Sequence, residues 1–224
     1  MLPENIKRKS FVVGKYTCWF ASVLGIVYVV TTVIGFLSLN SPDDPISDPY
    51  FTIMEILTML IAPSMAISMI AVHNYASSND KMYSLTALCF MFVMAGITSG
   101  VHFVILTVSH QFKAVQLGEL FISFKWPSVV YALDILAWDW FFAISILFAA
   151  PVFKKGRLEK VVRNLMIICG LLSLVGLIGV PLANMQIRNI GIIGYALIAP
   201  FIFLLLGTIL GQTKELSIEQ TKTN

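Results

Sequence analysis

The sequence predicts an all-α, polytopic membrane protein: one transmembrane domain built as a six-helix bundle, with both termini cytoplasmic. Three observations carry that expectation. Of 224 residues, 58% are hydrophobic and only 12% charged, about half the charged share of a water-soluble domain. The apolar residues fall into runs of twenty or more, long enough at ~1.5 Å per helical residue to cross a hydrocarbon layer of ~30 Å. Threading those runs alternately puts twelve of the fifteen Lys and Arg residues on one side, as the positive-inside rule requires. An ordinary soluble enzyme is excluded. So is a nucleic-acid-binding role, because the net charge of +3 is spread thinly and forms neither a basic stripe nor a zinc-finger spacing.

The first span covers about Cys18–Leu39, behind Lys7, Arg8, Lys9 and Lys15, all on the cytoplasmic side. It is longer than a secretory apolar region and no Ala-x-Ala-like site follows, so it reads as a retained helix. The acidic stretch Asp43-Asp44-Pro45-Ile46-Ser47-Asp48 then lies outside, and the second span runs over Phe51–Ala76. Lys81 marks the return to the cytoplasm before the third span, Leu85–Val108. The loop Ser109–Lys125 contains Leu117, Leu120, Phe121, Ile122 and Phe124, and reads either as an ordered loop or as a short amphipathic helix on the outer interface. The fourth span, Trp126–Phe153, is followed by Lys154, Lys155, Arg157, Lys160 and Arg163, the densest basic loop. Val161–Leu182 and Asn189–Gly211 complete the set, with Lys214 and Lys222 cytoplasmic and only Lys113, Lys125 and Arg188 outside. Compact loops suit a bacterial plasma membrane.

Small residues mark expected packing faces: Gly96-x-x-x-Gly100, Gly207-x-x-x-Gly211, and the strip Gly170, Ser173, Gly176 and Gly179. Pro63 and Pro200 lie inside spans and free backbone carbonyls that neighbours must satisfy. Cys18, Cys89 and Cys169 form no Cys-x-x-Cys pair and read as buried packing residues.

Ionisable groups at bilayer depth cost at least ~2.5 kcal/mol each on insertion scales, so each needs a reason. Counted at ~1.5 Å per residue, Glu55 lies about 6 Å, His102 about 10 Å, Asp134 about 12 Å and Asp139 about 20 Å below the outer edge. Glu55, His102 and Asp134 thus share a depth band although they come from three spans. Asn184, Arg188 and Asn189 stand at the outer junction of the last two spans, within reach of the same region. In the fourth span Tyr131, Asp134 and Trp138 follow at i−3, i and i+4 and share a face, bracketing a carboxyl between two rings. Asp139 is turned away from Asp134 by about 140° in a regular helix, and is expected to serve a different neighbour.

Other roles compete with a site. Glu55 and Trp126 suit the interface, His102 suits hydrogen-bonded packing, and Asp134 suits a structural ion pair with Arg188. His73 and His110 read as solvated. No metal site is expected, since no His-x-x-x-His or His-Glu-x-x-His pair shares a helix face, and no cofactor motif appears. No nucleophile elbow or phosphate loop appears either.

The ligand-binding set is therefore Glu55, His102, Tyr131, Asp134, Trp138, Asp139, Asn184 and Arg188, lining a pocket in the outer half. Carboxyls beside aromatic faces suit a small lipophilic or cationic molecule. The leading reading is a small proton-coupled transporter, with a homodimer as its expected assembly and the lipid bilayer as its surroundings. One alternative is an intramembrane enzyme using a buried carboxylic acid on an isoprenoid or lipid substrate, in the manner of a cyclase or isomerase. The other is a structural or assembly protein that uses the acids as helix glue.

Overall fold

The structure is a computed structural model and describes residues 4–41, 44–108 and 120–222. Asp43, His110, Lys113 and most of the Ser109–Lys125 loop lie outside the described residues, and so do the side chains of Lys7, Lys214 and Lys222. The described chain is helical without strands, and six helices are long and apolar enough to cross a membrane. They are α1 (Arg8–Leu37), α2 (Tyr50–Tyr75), α3 (Ser78–Val108), α4 (Val129–Val152), α5 (Arg157–Gly179) and α6 (Met185–Thr213). In hydrocarbon every backbone N–H and C=O must be satisfied within the segment, which is why long apolar runs become helices. Six crossings leave both termini at one end of the bundle.

Each helix packs against the next in sequence, and α6 returns to α1, so the spans close into a ring. The interior is filled by flexible and aromatic side chains, among them Met65, Met69, Met91, Met94, Phe142, Phe203 and Leu206, all buried. Outward faces carry Val23, Phe36, Leu37, Phe103, Ile178 and Phe201, all exposed. A continuous apolar exterior of this kind fits lipid and would be insoluble in water.

Several sequence expectations are corrected by packing. Gly207 and Gly211 do form a close contact, lying against Trp19 and Lys15 of α1, and Gly170, Gly176 and Gly179 meet α4 and α6. Gly96 and Gly100 meet nothing within 4 Å: that side of α3 faces away from the bundle beside exposed Phe92 and Phe103. Cys18 and Cys169 are buried, whereas Cys89 is exposed on α3. Apolar character alone does not tell an inward from an outward face when lipid surrounds the helix. His73 is half-buried and shares a hydrogen bond of 2.9 Å with Ser84. Residues 120–122 form a helical turn with Leu120 and Phe121 exposed.

Two helices are irregular near the expected polar depth. In α4 the segment Leu136–Phe142 is a π-helix, and in α6 the segment Ile193–Ile198 is another, ending just ahead of Pro200. A π turn beside an intrahelical proline is one way the freed carbonyls regain donors. Gly25 of α1 lies directly against the Pro200 ring.

Candidate functional site

Ser128 starts α4, its hydroxyl accepting the Tyr131 N–H at 3.2 Å. This N-cap sets the phase of the first turns, so that Asp134 faces the bundle interior. Glu55 comes in from α2, His102 from α3, and Arg188 from the first turn of α6. Arg188, expected at the junction of the last two spans within reach of this region, lies inside the helix and is buried, because the α5–α6 turn closes earlier than the hydropathy boundary, through Val180–Asn184.

These side chains form one chain of charge. His102 Nδ1 stands 2.6 Å from Glu55 Oε2, and His102 Nε2 stands 3.4 Å from Asp134 Oδ1. Arg188 Nη2 lies 3.7 Å from Asp134 Oδ2 and 3.3 Å from Asp139 Oδ2. The order is acid, base, acid, base, acid: Glu55, His102, Asp134, Arg188, Asp139. Their relative exposures are 2%, 3%, 6%, 2% and 0%, so bulk water does not screen the charges.

Asp139 was expected to serve a different neighbour from Asp134, and the π turn overturns this. A π-helix bonds i to i+5, which adds a residue to the turn. Asp134 lies two residues ahead of that segment and Asp139 lies within it, so both carboxyls reach Arg188. Gly191 gives Asp139 room, because a Cβ there would overlap Asp139 Oδ1.

Only the Glu55–His102 contact is tight. His102 Nε2, Asp134 Oδ1, both Asp139 carboxyl oxygens, and Arg188 Nε and Nη2 have no aligned hydrogen-bond partner among the described residues, although they lie at ion-pair range. The charge count is also uneven. With Arg188 and His102 both positive, three carboxylates leave one negative charge over. A buried charge without compensation costs several kcal/mol. One further proton, or one monovalent cation, makes the chain neutral.

Aromatic rings enclose the chain. The Arg188 guanidinium carbon lies 5.2 Å from the Tyr131 ring centre and 5.8 Å from that of Tyr195, and Nη1 donates to the Tyr131 hydroxyl at 3.4 Å. The cation beside these rings is thus one of the protein's own. Trp138 is buried and packs in tilted contacts on Tyr195 at 5.4 Å and Phe142 at 5.5 Å, one ring removed from the guanidinium. Phe124 lies 5.9 Å from the His102 ring, 5.1 Å from Tyr131 and 6.2 Å from Phe51, and covers the loop side of the histidine.

Asn184 is not brought into the chain. It is exposed and caps α6, accepting the N–H groups of Gln186 and Ile187 at 3.0 and 3.2 Å. Asn189 is exposed as well. Tyr195, Gly191 and Tyr28 of α1 join the site without having been expected there, Tyr28 lying within electrostatic reach of Glu55, Asp134 and Arg188, and Phe124, expected only as part of an interfacial loop, belongs to it too. A lone tyrosine amid apolar residues was the available signal for Tyr28 and Tyr195. Among the described residues, no three His, Cys, Asp or Glu side chains gather in a way that would hold a metal ion. No known protein family, curated protein or solved structure matches this chain.

Proposed function

We propose that this six-span membrane protein is a small proton-coupled carrier, and that the buried chain from Glu55 to Asp139 holds the coupling proton. The observation that supports the reading is the surplus carboxyl: three acids against two bases, all withdrawn from water. Such a chain is neutral only with one extra positive charge, so it accepts a proton in one state and exchanges it for a small cationic molecule in another. The tight Glu55–His102 bond and the looser contacts around Asp134 give the proton a graded path along the chain. Phe124 and Tyr131 close the loop side of this path. The carrier works in a bacterial plasma membrane with both termini cytoplasmic, and as a homodimer, since six spans offer little machinery for rocking on their own.

The test uses the full chain in liposomes containing a pH-sensitive dye, with a panel of ethidium, tetraethylammonium and benzalkonium. A proton gradient should drive uptake of at least one of these cations, with proton movement in the opposite direction, and Asp134→Asn should abolish both. No coupled proton movement with any cation, or equal movement in a folded Asp134→Asn protein, contradicts the proposal.

A further inference from the structure

At the other end of the bundle an open cavity of about 1200 Å³ lies between the α2–α3 turn, the α4–α5 turn and the last turns of α6. Its floor is apolar, formed by Phe11, Val152, Leu158 and Ile209. Its wall holds two acids, both committed to groups of the wall itself. Asp80 accepts from Lys154 Nζ at 2.5 Å and from the Ser77 hydroxyl at 2.7 Å. Glu159 accepts from the Tyr75 hydroxyl at 2.7 Å and from the backbone N–H groups of Lys154 and Lys155 at 2.8 Å each. Lys81 donates to the backbone carbonyl of His73.

Lys155 and Arg157 line the same cavity, are exposed, and have no acidic partner among the described residues. Of the four Lys and Arg side chains that line the cavity, Lys154 is paired with Asp80 and Lys81 is turned to the His73 carbonyl, which leaves Lys155 and Arg157 as exposed cations over an apolar floor. The cavity sits where the apolar spans end, at the level of lipid headgroups, and a basic pocket between helix ends at that level suits an anionic headgroup. A purely apolar ligand would leave the two cations unanswered, and a cationic one would be repelled by them.

We propose that this cavity is a binding site for an anionic phospholipid, with Lys155 and Arg157 taking the phosphate and the apolar floor receiving the start of the acyl chains. The proposal is independent of the proton site. It is tested on the full chain in detergent by thermal stability and by lipid retention in native mass spectrometry. Phosphatidylglycerol is compared with phosphatidylcholine of the same chains, and inorganic phosphate and glycerol phosphate serve as soluble arms. Phosphatidylglycerol should be retained and should raise the melting temperature more than phosphatidylcholine, while the soluble arms do neither.

K155Q/R157Q should weaken that preference about thirtyfold, the loss that accompanies removing two basic charges from a phosphate surface. The charge-keeping K155R/R157K and the K160Q variant outside the cavity should retain it. Equal behaviour of the two lipids with the wild-type protein, or an undiminished preference in K155Q/R157Q, overturns the proposal. Stabilisation by glycerol phosphate equal to that by phosphatidylglycerol reassigns the site to a soluble phosphate ester and removes the lipid from it.

Discussion

Asp134 and Asp139 share one guanidinium, their Oδ2 atoms standing 3.7 and 3.3 Å from Arg188 Nη2. In a regular α-helix residues five apart diverge by about 140°, and the π turn at Leu136–Phe142 narrows that divergence enough for both carboxyls to reach Arg188. π turns are rare and recur at functional sites. Here the turn makes one site from two acids that helical phase would have separated.

The shared arginine makes its removal more damaging than removal of either acid. Arg188→Gln strands two buried carboxyls and should cost about 3–5 kcal/mol of stability, the range for breaking a buried pair. Asp139→Asn leaves Arg188 still opposite Asp134 and should cost clearly less. Melting temperatures in one detergent, measured side by side, check the order. Equal losses would mean that the guanidinium is not shared.

Glycine substitutions separate the faces that pack within the chain from those that do not. Gly191→Ala drives a methyl into Asp139 and should destabilise by about 1–3 kcal/mol, as overpacking does. Gly96→Ala, with nothing within 4 Å, should leave the melting temperature of the isolated chain unchanged. A reversed order would contradict the assigned packing of α6 on α4.

Phe124 is expected to shield His102. Phe124→Ala should raise the rate at which diethyl pyrocarbonate modifies His102, read by peptide mass spectrometry, while modification of His73 at the far end stays the same. An unchanged His102 rate would show that the ring does not seal the loop side.

Orientation is tested by single-cysteine labelling in a background with Cys18, Cys89 and Cys169 replaced. A cysteine at Lys155 should react only with cytoplasmic reagent, and one at Asp44 only from outside. The reverse pattern would invert the bundle.

The number and order of spans were legible because hydrocarbon imposes long apolar helices, a constraint visible in composition alone. The convergence of Glu55, His102 and Asp134 was legible as a shared depth, since counting residues along straight helices gives height directly. What could not be read was azimuth. The π turn that swings Asp139 toward Asp134 has no composition of its own in Leu-Ala-Trp-Asp-Trp-Phe-Phe. The outward face of Gly96 and Gly100 looks the same in sequence as the inward face of Gly207 and Gly211, because lipid and protein interior are equally apolar. Arg188 was placed at the junction because the hydropathy boundary and the helix start differ by one turn. Asn184, directly ahead of Met185, caps α6 and stands apart from the charged chain, a position that its residue type alone does not distinguish from a place in the site.

The central claim is that the surplus carboxyl of the buried chain holds a proton, and infrared spectroscopy reads this directly. The wild-type protein near neutral pH should show the C=O stretch of a protonated, water-excluded carboxyl, slow to shift in deuterated water. That band should vanish or move in at least one of Glu55→Gln, Asp134→Asn and Asp139→Asn, and persist in Asp80→Asn, whose carboxyl belongs to the opposite end of the bundle. The absence of such a band in the wild type, or its persistence unchanged through all three substitutions in the chain, would contradict the account.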